Sequence, residues 1–248
     1  KVGELSCGYG AGAGAVQAYA ERMGMDMTLE EAESLKNNWR AINPHITQLW
    51  RNLEEAMASA LAHHREAVAQ RLVYKDGAKG STHLEIAINI WETPQSLLDI
   101  HPGAQSICII VRINGMVQMV RIIHGVYRRG KDFCYYKPND NKTSAEPWKT
   151  TFINPKTGQR EYYKIYGGKL AGILTQSFCR EIFFRSMSTL QGTLEYYQRP
   201  DLLVGQFHDE IVVETDSTSA ETVLRYMQDC MSKDSRLHGF PLAAEIKY

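Results

Sequence analysis

Residues 202–215, LLVGQFHDEIVVET, limit the folds open to this chain more than any other stretch. Two apolar runs, Leu202-Leu203-Val204 and Ile211-Val212-Val213, flank the polar group Gln206-Phe207-His208-Asp209-Glu210. Short runs rich in branched residues are strand-like, so the stretch predicts a hairpin. Its tip is unusual. Tight hairpin turns favour Asn-Gly or Asp-Gly because their central residues need positive φ. Here an imidazole and two adjacent carboxylates sit at the junction. That is poor turn chemistry and good chemistry for a hard cation, which carboxylate oxygens bind. A solvated acidic turn is the other reading of the same residues.

The first 64 residues read as helices. Residues 1–24 form a predicted small-residue helix in which Lys1, Leu5 and Tyr9 recur at i, i+4, i+8, one helical face. Gly8, Gly10, Gly12 and Gly14 each weaken it by roughly 1 kcal/mol relative to Ala, which makes sense where backbone must lie close to a neighbour. The run GYGAGAG lacks the GK[ST] ending of a phosphate loop. Thr28 with Glu31 is a capping box opening a helix to about Ile42. Asn43-Pro44 starts another, whose Ile46, Leu49, Trp50, Leu53, Met57 and Leu61 form a core-facing stripe. It ends near His63-His64.

From residue 72 the pattern becomes strand-like. Lys75-Asp76-Gly77 is a predicted turn. Residues 107–113 and 116–123 flank Asn114-Gly115, a strong hairpin signal. Residues 133–166 interleave Tyr135, Tyr136, Trp148, Phe152, Tyr162, Tyr163 and Tyr166 with lysines and an arginine, a mixture that suits nucleic acid or an ordinary sheet. Pro155-Lys156-Thr157-Gly158 is a second hairpin turn. Gly167-Gly168 then precede a long helix to about Leu190, along which Lys169, Gln176 and Arg180 share a face. Gln176 lies among apolar neighbours, where a buried amide would need a partner. After the acidic hairpin, residues 217–233 read as a helix capped by Ser217 or Thr218, and residues 240–246 as a strand.

The 248 residues carry no net charge, but the charge is unevenly placed. Residues 1–111 hold −4, residues 112–185 hold +9 and residues 186–248 hold −5. A basic middle beside an acidic end is what a phosphate-tracking surface next to a cation site would require. Five scattered cysteines without a CxxC pair argue for a reducing compartment and against a zinc ribbon or a disulfide scaffold. No apolar run is long enough to span a bilayer, so no membrane partner is expected.

Three stretches in this order resemble family A DNA polymerases, the group of bacterial repair polymerases and many phage replicases. Lys1-Val2-Gly3-Glu4-Leu5-Ser6-Cys7-Gly8-Tyr9-Gly10 resembles the fingers helix K-x3-hydrophobic-x3-Y-G. Tyr166-Gly167-Gly168-Lys169-Leu170 with Gln176 resembles the YGGKL…Q helix of phage-type members. Gln206-Phe207-His208-Asp209-Glu210 resembles the palm's Q-x-H-D-E. Trp39 and Pro44 fit the fingers segment that follows the first motif. The resemblance covers nearly the whole chain.

It implies an α+β protein, with a helical fingers segment over residues 1–71 and an antiparallel palm sheet packed against helices over residues 72–248, carrying an inserted basic, aromatic-rich β region. The implied reaction adds dNTPs to a primer 3′ end, with two Mg²⁺ ions clamping the attacking and leaving oxygens. Asp209 would bind metal directly and Glu210 as a secondary ligand. Lys1 would pair with the triphosphate, near Leu5. Tyr9 would stack beside the templating base, with Gly10 letting the chain pass. Lys169, Gln176, Gln206 and His208 would contact primer or template DNA near the growing end. The setting implied is the cytoplasm of a bacterial or phage-infected cell.

Departures from the family's pattern qualify this. Leu5 stands where many members have Phe or Tyr, a position that influences sugar discrimination. Gly172-Ile173 stands where phage relatives often have Glu-Asn. The family's second palm motif, which supplies the partner aspartate, precedes the fingers helix, as does an arginine four residues before the fingers lysine. The chain is therefore expected to need the N-terminal remainder of the same polymerase as a partner and to be inactive alone. Two other classes fit the acidic hairpin: a metal-dependent nuclease using His208, Asp209 and Glu210, and a non-catalytic DNA-binding prophage remnant.

Overall fold

The helical start of the chain follows from local signals. In the computed structural model, which describes residues 2–75, 81–140, 146–155, 157–198, 203–207 and 210–233, the first elements are α1 (Val2–Cys7), α2 (Ala13–Arg22), α3 (Leu29–Ile42) and α4 (Pro44–His63). The Thr28 capping box forms as expected: Thr28 Oγ1 accepts from the Glu31 amide at 3.2 Å, and Glu31 Oε2 accepts from the Thr28 amide at 2.8 Å. Pro44 opens α4, and His64 closes it in a left-handed conformation at φ 50°.

The glycine-rich start departs from the single helix expected over residues 1–24. α1 ends at Cys7, and a turn through Gly8, Tyr9 and Gly10 separates it from α2. Gly10 takes φ +78°, which only glycine adopts without penalty. Tyr9 therefore lies in the turn rather than on the helical face that the i, i+4, i+8 spacing predicts. Val2, Cys7, Val16, Ala20, Ala32 and Trp39 form the core of this helical cluster.

β1 (Ala67–Lys75) and β2 (Ser81–Trp91) follow, then the short helix α5 (Gln95–Leu98), β3 (Gln105–Ile113) and β4 (Met116–Arg129). Asn114 and Gly115 take φ 51° and 80°, so the predicted hairpin turn between β3 and β4 forms with the two positive φ values that a tight connection demands. β5 (Asp132–Cys134), β6 (Lys137–Pro138), β7 (Trp148–Lys149), β8 (Thr151–Ile153), β9 (Arg160–Tyr162) and β10 (Lys164–Ile165) complete the aromatic-rich region. Six strands make one antiparallel sheet in the order β1-β2-β3-β4-β5-β10, while β6-β7 and β8-β9 are separate two-stranded ladders. β3 is buried along most of its length, as a central strand should be.

α6 (Gly167–Tyr196) runs about six residues beyond the expected end near Leu190. β11 (Leu203–Phe207) pairs with β12 (Glu210–Val213) in their own ladder, and α7 (Ala220–Ser232) follows. The cap of α7 is not the expected Ser217 or Thr218. Asp216 Oδ1 accepts from the Ser219 amide at 2.9 Å and from the Thr218 hydroxyl, so an earlier carboxylate supplies the first turn's acceptor. Leu190 and Leu194 of α6, Ile211 of β12 and Val223 of α7 form a second buried cluster. The expected turn at residues 75–77 and the strand at residues 240–246 lie outside the described residues, apart from Lys75 at the end of β1. The helix and strand content is that of the expected α+β class.

By their internal contacts the residues form two units. One comprises residues 1–71, 85–111 and 120–175, the other residues 72–84, 112–119 and 176–248. The first holds the α1–α4 cluster and the aromatic ladders, and the second holds the acidic hairpin with α7.

One partly buried titratable contact in the first unit gives a pH prediction. His124 Nδ1 lies 3.1 Å from Ser106 Oγ, and its ring sits edge-on to Trp148 at 5.4 Å. Burial, and secondarily the Arg121 charge, hold its pKa below the ordinary 6.5. The unfolded chain therefore binds this proton more readily. The stability from the neutral ring is fully present above pH 6.5 and is lost as pH falls below that value. Urea unfolding midpoints should drop between pH 7.5 and 5, and His124→Gln should flatten that slope. An unchanged slope in the variant would assign the pH dependence elsewhere.

Candidate functional site

The structure brings together two of the three motif stretches, at one backbone crossing. Tyr9-Gly10 and Gly167-Gly168 are more than 150 residues apart in sequence, yet they touch. A Cβ built on Gly168 would lie 2.5 Å from the Tyr9 carbonyl oxygen and 2.9 Å from Gly10 Cα. A Cβ on Gly167 would lie 2.0 Å from the Trp50 carbonyl oxygen on α4. One on Gly172 would meet the Tyr9 ring at 3.3 Å. The paired glycines at the start of α6 thus let three backbone segments meet without side chains between them.

A second contact fixes the crossing. The Gly167 amide, one of the free donors at a helix start, donates to Glu54 Oε2 at 3.0 Å. Glu54 projects from α4, the helix whose Trp50 carbonyl faces Gly167. Trp50 stacks with buried Trp39, centroids 6.2 Å apart and planes 12° from parallel. The Trp39 indole donates to Glu4 Oε1 at 3.1 Å, tying α3 to α1.

Beside the crossing lies an open groove of about 540 Å³, lined by Gly10, Arg40, Trp50, Arg51, Tyr166 and Gly168 among others. Arg40 Nη2 donates to the Ala11 carbonyl at 3.1 Å, and its guanidinium lies 5.6 Å from the Trp50 ring centroid. Its Nε and the Trp50 indole nitrogen are buried without a hydrogen-bond partner among the described residues. Arg51 Nη2 donates to Gln48 at 2.7 Å. Glu54 also lines the groove, its Oε2 held by the Gly167 amide. Beside it, two guanidinium groups, an indole and an exposed tyrosine ring offer cation and ring surfaces that can receive a planar ligand carrying negative charge, such as a nucleotide. Sequence reasoning missed Arg40, Arg51 and Glu54 as site residues. They carry no motif spacing of their own and become notable only through the glycine crossing.

The other expected site residues are found on α1, α6, β11 and β12 or lie outside the described residues. Lys169 is exposed in the first turn of α6. Gln176 is exposed as well, which corrects the expectation of a buried amide. Leu170, Leu174 and Phe178 fill the buried face of α6, leaving Gln176 on the same solvated side as Lys169 and Arg180. Gln206 is exposed on β11, and Glu210 is exposed at the start of β12, opposite Phe207. Leu5 lies within α1. Lys1, His208 and Asp209 lie outside the described residues. β11 and β12 pair as the sequence predicts, with a register shift between Leu203 and Gly205.

Among the described residues no group of three or more His, Cys, Asp or Glu side chains could hold a metal ion, and Asp209 is not among those residues. No described helix is long and apolar enough to cross a membrane. All five cysteines are free. No protein-family model, curated protein or solved structure matches the chain.

Proposed function

We propose that this chain is the fingers and palm part of a template-directed DNA polymerase, which adds dNTPs to a primer 3′ end by two-metal phosphoryl transfer. The observation that carries the reading is the crossing of Tyr9-Gly10 with Gly167-Gly168. Those are the residues on which two of the three motif resemblances rest, and a chance pair of short motifs has no reason to meet at backbone contact. The groove beside the crossing adds Arg40, Arg51 and Trp50 as groups that hold the template strand next to Tyr9.

In this reading Asp209, and Glu210 at the start of β12, would hold Mg²⁺ through carboxylate oxygens. Phosphoryl transfer asks little covalent chemistry of the protein. Positioning and charge neutralisation carry the rate, so both metals must be fixed. One aspartate fixes one side of a two-metal clamp, and the partner carboxylate comes from residues preceding Lys1. Lys1 neutralises the triphosphate, Tyr9 stacks beside the templating base, and Lys169, Gln176, Gln206 and His208 contact the DNA.

The test is primer extension on a primed template with dNTPs and Mg²⁺. The chain alone is expected to give no extension, and a protein that continues the chain upstream in its gene is expected to extend. Extension by the chain alone would remove the need for an upstream carboxylate. Failure of the longer protein to extend, with DNA still bound, would leave the nuclease and the non-catalytic DNA-binding readings, which cleavage of DNA without dNTPs separates.

A further inference from the structure

The separate β8–β9 ladder carries an unusual face. Its register pairs Thr151 with Tyr162 and Ile153 with Arg160, so these four side chains share one side, while Phe152 and Glu161 point to the other. Arg129, from the end of β4, lays its guanidinium 3.9 Å from the Tyr162 ring centroid. Arg160 and Arg129 are exposed, and Ile153 is 58% exposed. Among the described residues Arg160 forms no ion pair.

The nearby acids are turned away or engaged. Glu161, on the opposite side, accepts from Asn154 Nδ2 at 2.6 Å. Asp132, cross-strand from Arg129, is held by Lys164 at 2.7 Å. The sequence around the face, residues 128–164, carries nine basic and four acidic residues. The face therefore offers a positive field, a guanidinium plane already stacked on a ring, and open aliphatic surface in one patch.

We propose that this face, formed by Arg129, Thr151, Ile153, Arg160 and Tyr162, binds single-stranded DNA. Duplex bases are stacked on one another and present mainly phosphates to a surface. Unpaired bases have free π faces that stack on a guanidinium or aromatic plane while arginine N–H groups take the adjoining phosphates. The inference rests on the reading that the chain handles DNA, and it adds a second contact, made by residues other than those of the glycine crossing, for an unpaired strand.

The experiment measures binding of the 248-residue chain to a labelled oligo(dT) of roughly 16 nucleotides, the upper end of single-strand site sizes, by fluorescence anisotropy over a salt series without metal or dNTPs. The double variant Arg129→Gln/Arg160→Gln should weaken binding about tenfold or more at low salt. It should also lower the slope of log affinity against log salt by about 1.4, since each neutralised phosphate contact on a single strand contributes roughly 0.7. Tyr162→Leu, which keeps apolar bulk and removes the π face, should weaken binding about fivefold or more with the slope unchanged. Arg22→Gln, an exposed charge at the end of α2, is the control and should change little. An equal loss in the control, an unchanged slope in the double variant, or equal affinity for a duplex of the same length would overturn the proposal. Primer extension by the longer protein, with oligo(dT) binding intact in the Arg129→Gln/Arg160→Gln and Tyr162→Leu variants, would sink this inference alone. Binding that depends on this β8–β9 face, without any extension by the longer protein, would sink the polymerase reading alone.

Discussion

Gly167→Ala is expected to destabilise the first unit by about 3 kcal/mol, the upper end of overpacking costs, or by more. The added Cβ would sit 2.0 Å from the Trp50 carbonyl oxygen, 2.5 Å from its carbon and 2.8 Å from its Cα. All three atoms belong to the backbone of α4, where no rotamer change can move them. The Gly167 amide is also bound to Glu54 on the same helix, so α6 cannot back away without breaking that bond. Gly192→Ala in the same helix is the control with the opposite sign. Nothing lies within 4 Å of a Cβ there, so alanine's higher helix propensity should stabilise by up to about 1 kcal/mol. Urea unfolding of both variants reads the pair. A Gly167→Ala protein as stable as the parent would mean that α4 and α6 do not meet at this crossing.

The second large effect concerns chemistry. In a longer protein that extends primers, Asp209→Asn is expected to lower the extension rate by at least about a thousandfold. That corresponds to the several kcal/mol a catalytic metal contributes to the transition state. Asparagine keeps the side-chain shape and removes the charge that holds a hard cation. Primer-template affinity, measured without metal, should stay within a few-fold, because the interactions lost are those of the chemical step. Glu210→Gln should cost less, roughly 10–100-fold, as expected of a partner that supports a ligand. A rate within about tenfold of the parent in Asp209→Asn would show that Asp209 is not a metal ligand. Cleavage of DNA without dNTPs, abolished by the same substitution, would favour the nuclease reading instead.

Several elements were legible because their signals are local. The Thr28–Glu31 box, Pro44 at the first turn of α4 and the Asn114-Gly115 turn each depend on atoms a few residues apart, so the chain nearby is enough to specify them. The break after α1 was less legible. Glycines weaken a helix without saying where it stops, and Gly10 turns left-handed beneath Gly168, a partner far along the sequence. The same holds for Gln176. Its apolar neighbours in sequence suggested burial, but the helix turns those neighbours to one side and the amide to the other. Arg40, Arg51 and Glu54 were invisible as site residues for the same reason: nothing in α3 or α4 marks them until α6 arrives alongside.

The sequence by itself determined the α+β composition, the helical start, the hairpins and the three motif stretches with their polymerase-like residue types. Periodicity, capping and turn chemistry act over one or two turns of chain, and these features require no more. Only the tertiary structure decided that Tyr9-Gly10 lies against Gly167-Gly168, that Glu54 closes the first turn of α6, and that Arg129 covers Tyr162 on a separate ladder. Those are contacts between distant segments, set by which surfaces can approach closely, and glycines and flat cation–ring pairs permit an approach that no local pattern records.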